Sequence, residues 1–193
     1  MKDDKGCVYR NLYVAGIDTI DIGMNETSGN TDDPSEFCIV IKKRTFGMNP
    51  AKYVAYYKDR PNNINEAYLQ ALMLLQWYNC KAVLESTKVS FLTWMRNKGA
   101  ANLYLMKRPR ACLSDIDKGK STLYGAQASP TIIRHGLDLI CSYIDEYSHE
   151  IWFEEILQQL ISYSYELKRK FDIVAAMQMC ELGDEEYSGV VAC

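Results

Sequence analysis

The sequence predicts an α/β protein in which a mixed sheet of five or more strands carries helices on both faces. An apolar run at residues 12–17 is short and rich in β-forming residues, which indicates a strand buried on both faces. Two more strand patterns follow it before any helical periodicity, which favours an antiparallel meander. Strand and helix patterns then alternate, and the chain ends in helices, so helices are expected on both sides of the sheet.

The first half of the chain supplies the predicted meander and one helix. A polar segment at residues 25–35, rich in Gly, Asn, Thr and Asp, is predicted to be a loop. The second and third strands are predicted over residues 37–41 and 53–57. From Ile64 to Tyr78 apolar residues recur at helical spacing, which indicates an amphipathic helix.

The middle of the chain supplies two predicted β-α units. A fourth strand is expected at residues 82–84, followed by a helix capped by Ser86 or Thr87 that ends at Gly99. A short fifth strand is expected at residues 103–106. Residues 107–127 then form a long basic and polar insertion, where we expect mobility.

The last part of the chain is predicted to be helical. Ser129 followed by Pro130 is a specific helix-start signal, because a serine cap and a first-turn proline both suit a helix N-terminus. Further helices are expected over residues 153–161 and from Asp172 onward. The acidic end beginning at Asp184 is expected to fray.

Composition favours one globular domain in a reducing compartment. The chain has 193 residues, 48% of them hydrophobic, and a formal net charge of −3. Seven cysteines without a CxxC pair, and only two histidines, argue against a zinc site or a disulfide framework. We expect a tail or linker stub at 1–11, a domain at 12–183, a flexible tail at 184–193, and neither a signal peptide nor a membrane span.

Three acids stand at element ends that a mixed sheet would bring together. Asp18 follows the first strand, Glu85 follows the fourth, and Asp172 opens the last helix. If the first and fourth strands are parallel neighbours, the first two carboxylates meet at one sheet edge, where α/β folds usually place ligands. The alternative is ordinary local chemistry, since acids are common in turns and in first helical turns.

Crowded carboxylates repel each other unless a cation neutralises them, so their convergence would indicate a metal site. Oxygen ligands with few histidines favour Mg²⁺ or Mn²⁺ over zinc. Two such ions roughly 3.5–4 Å apart can activate a water and stabilise the leaving oxygen of a phosphodiester. The three acids therefore predict metal-dependent phosphodiester hydrolysis.

From about residue 12 to 182 the chain resembles the nuclease domain of a phage terminase large subunit, a DNA-packaging motor with an RNase H-like fold. The segment 14–18 resembles the first-strand aspartate motif of that family, 82–85 its second acidic motif, and 171–176 its last acid-plus-helix motif. Tyr124-Gly125, with Thr131 and Arg134 in the helix after it, is similar to the family's segment before the penultimate helices.

The resemblance implies a catalytic and metal set of Asp18, Glu85 and Asp172. The family often has paired aspartates at the last motif, where this chain has Phe171, and an asparagine after the second acid, where it has Ser86. The identity of a fourth oxygen ligand is therefore open, and the candidates are Asp21, Asp32 and Asp33. The implied partners are double-stranded DNA, an ATPase domain in a longer chain, the portal and the small terminase subunit, in the cytoplasm of a host cell.

Basic residues cluster in two places that suit a DNA-facing surface, although charge runs are as often simply solvated. The candidates for phosphate contacts are Lys107, Arg108, Arg110, Lys118, Lys120, Lys168, Arg169 and Lys170. The resulting hypothesis is a divalent-metal-dependent endonuclease that cuts double-stranded DNA during viral genome packaging. Its alternatives are a catalytically inactive RNase H-like docking module of a packaging motor, or another RNase H-like nuclease of the resolvase or transposase type.

Overall fold

A computed structural model describes residues 9, 11–20, 35–113, 123–164 and 171–187 of the 193-residue chain. Four strands in this part form one sheet with the order β3-β2-β1-β4. The strands are β1 Tyr13–Asp18, β2 Phe37–Lys43, β3 Lys52–Asp59 and β4 Lys81–Leu84. β2 pairs antiparallel with both β1 and β3, whereas β4 pairs parallel with β1. The expected mixed α/β architecture is therefore confirmed.

Helices cover both faces of the sheet. They are α1 Ile64–Tyr78, α2 Ser90–Asn97, α3 Ala101–Tyr104, α4 Pro130–Tyr147, α5 Glu154–Ser162 and α6 Asp172–Glu186. The predicted cap of α4 is confirmed, because the Ser129 side chain accepts a hydrogen bond from the Ile132 amide. No helix among the described residues is long and apolar enough to cross a membrane.

The alternation of side chains along β1 divides the core into two layers. Ala15 and Ile17 belong to the layer packed under α1 and α2, whereas Val14 belongs to the layer under α4, α5 and α6. All three side chains are fully buried, as the apolar run predicts for a central strand. Asp18 lies two residues after Gly16 on the strand, so its side chain points to the face of the sheet that α6 covers.

Gly16 lets α6 lie directly on β1. A Cβ atom at this position would come within 2.0 Å of the Ala176 carbonyl oxygen and 2.2 Å of the Cys180 amide nitrogen. Both distances are far below any van der Waals contact, so only glycine allows this approach of helix to strand. The close crossing fixes the position of α6, and with it the position of Asp172 at its first turn.

A buried ionic network attaches the other end of α6 to β2. The Lys42 ammonium lies 2.6 Å from Glu181 Oε2 and 2.8 Å from Asp184 Oδ2, and the Tyr53 hydroxyl donates to Glu181 Oε1 at 2.6 Å. Arg44 Nε contacts Asp184 Oδ1 as well. Because buried charges are tolerated only when paired, this network favours one position of the helix end.

The structure differs from the sequence expectation at the chain end. Residues 184–186, expected in a flexible tail, continue α6, and Asp184 is held by Lys42 and Arg44. Burial raises the pKa of Asp184, but the two cations more than offset it and hold the value below its usual range. The ion pairs explain why an acidic helix end stays ordered here.

The expected fifth strand is also different. Leu103 and Tyr104 lie in the short helix α3, and Leu105 makes only an isolated parallel bridge to Ala82 of β4. Ala100 caps α3 and Ala101 is its first residue, and alanine has the highest helix propensity. The two ends of the predicted insertion pair with each other, since Lys107 forms an antiparallel bridge with Tyr124.

Candidate active site

The parallel pairing of β1 and β4 places Asp18 beside Glu85. The ladder joins Ile17 to Leu84, and the Glu85 amide continues it by donating to the Ile17 carbonyl at 2.9 Å. Val83 faces α6, so Glu85, two residues later, faces α6 as well. The first two predicted acids therefore share both an edge and a face of the sheet.

Asp172 reaches the same place from above the sheet. It is the first residue of α6, where an acidic side chain is favoured by the helix dipole. Asp18, Glu85 and Asp172 are each 7% exposed, and all three line one cavity of about 510 Å³. The structure thus brings together the three acids that the sequence singled out.

Lys88 is the cation of this site. Its ammonium lies 3.7 Å from Asp18 Oδ1 and 3.7 Å from Glu85 Oε2, and its side chain is 33% exposed at the cavity wall. One positive charge is therefore shared by two nearly buried carboxylates. Such sharing offsets part of the cost of burying them.

Thr87 holds the other oxygen of Glu85. Both its hydroxyl and its backbone amide donate to Glu85 Oε1. This contact explains why α2 begins only at Ser90 and not after a Ser86 or Thr87 cap, since the threonine is engaged with the preceding acid. Glu85 Oε1 thus faces Thr87, while Oε2 faces Lys88.

The surroundings of Asp18 and Asp172 favour their protonated forms. Burial raises the pKa of Asp18 to about 7; the Lys88 ammonium opposes the rise, and the carboxylates of Glu85 and Asp172 add to it. Burial likewise raises the pKa of Asp172 to about 6, although the Glu36 amide, which hydrogen-bonds it, lowers the value. A site of this kind gains from a bound cation, which removes the repulsion.

These shifts predict a pH dependence of stability in the metal-free protein. The folded-state pKa of Asp18 exceeds the unfolded value of about 3.9, so the folded protein binds the extra proton between these values. Protonation of Asp18 therefore stabilises the folded state at low pH, and this stabilisation is lost as the pH rises through about 7. With EDTA present, the Tm of the parent should fall from pH 5 to pH 8 relative to Asp18→Asn. Parallel melting curves across that range would contradict the shift.

The three acids have the donor type that suits a hard divalent cation, but in this structure they are not arranged as a metal-binding group. Three carboxylates supply the oxygen ligands that Mg²⁺ and Mn²⁺ prefer. Within the described part of the chain, no group of three or more His, Cys, Asp and Glu residues is arranged to hold a metal ion. In this arrangement the Lys88 ammonium is the cation that two of the acids contact.

The predicted DNA-binding residues that the structure describes do not line this cavity. Lys107 lies over the Tyr124 ring, 3.7 Å from its centroid, and Tyr124 belongs to the core layer on the α1 side. Arg108 donates to the Gly125 carbonyl at 3.3 Å. Arg110 contacts Glu186, which lies at the end of α6, roughly 20 Å along the helix axis from Asp172.

The remaining predicted residues lie outside the described ranges, so the structure gives them no position. They are Asp21, Asp32, Asp33, Lys118, Lys120, Lys168, Arg169 and Lys170. The cavity wall also contains polar residues that the sequence did not single out, among them Lys88 and the buried Gln178 of α6. A signal for Lys88 was present, because a lysine three residues after a strand-end acid can fold back onto it.

No protein-family model matches this sequence, and no curated protein matches it significantly. The geometry of the three acids and Lys88 therefore carries the functional assignment.

Proposed function

We propose that this protein is a divalent-metal-dependent endonuclease that cleaves double-stranded DNA by two-metal phosphodiester hydrolysis. The observation that carries the proposal is the meeting of Asp18, Glu85 and Asp172, from three distant parts of the chain, at one cavity. Buried acids of like charge are costly to a fold. Their convergence is therefore better explained by chemistry than by stability.

The sheet topology supports an RNase H-like assignment. An antiparallel β1-β2-β3 unit with β4 parallel beside β1 is the layout expected for that fold. The bridge from Leu105 to Ala82 lies on the free edge of β4, where a fifth strand would pair. We infer that the chain is the nuclease domain of a viral packaging terminase large subunit, as its motif order suggests.

In this proposal the protein supplies the metal ligands and holds them in nearly buried positions. Asp18, Glu85 and Asp172 would hold Mg²⁺ or Mn²⁺, which when bound polarises the phosphodiester and activates the attacking water. Thr87 orients Glu85 by donating to Oε1, which leaves Oε2, the oxygen that faces Lys88, as the one that would bind a metal ion. The burial of all three acids keeps solvent from screening their charge.

The proposed function implies a substrate and several partner proteins. The substrate is double-stranded DNA, and an ATPase domain, the portal and the small terminase subunit would act with this domain in the cytoplasm of a host cell. Cleavage would then be coupled to packaging by the motor.

The basic residues at the start of the predicted insertion give a test of DNA binding. Replacing Lys107, Arg108 and Arg110 together with Ala should weaken DNA binding, because every basic side chain that no longer neutralises a phosphate flattens the slope of log K against log salt by about 0.9. The measurement is fluorescence anisotropy with a labelled duplex across salt concentrations. Lys52→Ala, on the edge strand β3, is the control, and an equal slope in both proteins would exclude this surface.

Plasmid cleavage tests the function itself. The protein should nick or linearise supercoiled DNA with Mn²⁺ or Mg²⁺ and stop with EDTA. Differential scanning fluorimetry with MnCl₂ supplies a second readout, because a ligand that binds only the folded state raises the Tm. The absence of both a Tm rise and cleavage would favour the inactive docking module, in which the Lys88 ammonium alone would neutralise Asp18 and Glu85. Cleavage of branched DNA alone would favour a resolvase type.

A further inference from the structure

The Lys88 ammonium lies between two of the proposed metal ligands, Asp18 and Glu85. It is equidistant, at 3.7 Å, from Asp18 Oδ1 and Glu85 Oε2. The residue lies in the connection between β4 and α2, which the Thr87 hydrogen bonds to Glu85 hold against the cavity. Sequence motif and cavity shape alone would not assign this residue a role.

The same two oxygens cannot serve the lysine and a metal ion equally. A divalent cation binds carboxylate oxygens directly, at about 2–2.6 Å. A cation bound to these oxygens would repel the positively charged Lys88 ammonium beside them. Without metal, the lysine offsets the repulsion between acids that are only 7% exposed. With metal, the lysine must move, and its four-carbon stem permits this.

We propose that Lys88 is a built-in counter-ion that positions Asp18 and Glu85 in the metal-free protein and competes with the divalent cation for them. The inference rests on the proposed metal site and adds a device that sets its cation affinity. The displaced ammonium stays at the cavity wall, where it can bind the anionic phosphodiester of the substrate. Lys88 is therefore a positioning residue that links metal binding to substrate binding.

The test compares three variants with the parent. Lys88→Met removes the charge and keeps much of the side-chain volume. Lys81→Met makes the same charge change at the other end of β4, where the exposed Lys81 donates to the Asn102 carbonyl at 3.2 Å. Lys88→Arg restores the charge. The probe is MnCl₂ alone, titrated by scanning fluorimetry and by electron paramagnetic resonance of free Mn²⁺.

The expected result is a lower Tm of metal-free Lys88→Met than of Lys81→Met, together with a Mn²⁺ midpoint lowered about tenfold, equivalent to about 1.4 kcal/mol. Lys88→Arg should restore the Tm and a midpoint near that of the parent. If Lys88→Met does not fold, Lys88→Gln takes its place, since its amide can still donate to one carboxylate.

Two results would overturn the inference, and they differ from each other. Equal Mn²⁺ midpoints in Lys88→Met and Lys81→Met, with the parent responding normally, would remove Lys88 as a competitor and leave the metal site intact. No Mn²⁺ response in any of the proteins would overturn the proposed metal site and the role of Lys88 together.

Discussion

Cleavage of plasmid DNA is expected to fall about a thousandfold or more when Asp18, Glu85 or Asp172 is replaced by Ala. Each substitution removes an oxygen ligand from a site that must hold two cations against the charge of the phosphate. The three residues come from β1, the end of β4 and α6, so equal losses would show that the three elements serve one site. The measurement is the rate of conversion of supercoiled to nicked and linear DNA in Mn²⁺.

The fold should survive these changes, because each removes a carboxylate that is costly to bury. The metal-free Tm of Asp18→Ala and Asp172→Ala should equal or exceed that of the parent. Asp145→Ala, an exposed acid on α4, is the control and should cut at the parental rate. Retained cutting in Glu85→Ala would be the most damaging result, because Glu85 is the ligand that joins β4 to the site.

Most of the sheet could be predicted from the sequence because a buried strand is marked by a short run of apolar, β-forming residues. The buried strand before Asp18 and the helical period from Ile64 depend on local pattern alone, and both are present in the structure. The positions of the acids suggested that β1 and β4 are parallel neighbours. The parallel ladder that pairs Ile17 with Leu84 confirms it. The meeting of the three acids was therefore predictable in outline.

The rest depended on interactions between distant residues. The start of α2 shifted because Thr87 is engaged by Glu85, which a capping rule cannot foresee. The extension of α6 to Glu186 depends on Lys42 and Arg44, more than 130 residues earlier in the chain. The spacing of Lys88 from Glu85 indicates their contact, but the second contact, with Asp18, exists only because β1 lies beside β4. Pattern rules describe single elements, and these features belong to pairs of elements.

Gly16→Ala should destabilise the protein by about 3 kcal/mol or more, at the upper end of the cost of overpacking. For a chain of this size that corresponds to a Tm lower by about 6–12 °C. The added methyl would overlap the backbone of α6 at Ala176 and Cys180, and a helix backbone cannot yield as a flexible side chain can. The helix must therefore move off β1, and Asp172 must move with it, away from Asp18.

The control is Gly47→Ala, at a glycine that has a left-handed φ of +57° but has nothing within 4 Å of the added atom. Backbone strain alone should cost that variant about 1–2 kcal/mol. At temperatures where both variants are folded, Gly16→Ala should also show a higher Mn²⁺ midpoint than Gly47→Ala, because its ligands no longer align. Equal melting temperatures in the two variants would mean that α6 does not rest on Gly16, and the placement of Asp172 over Asp18 would lose its structural basis.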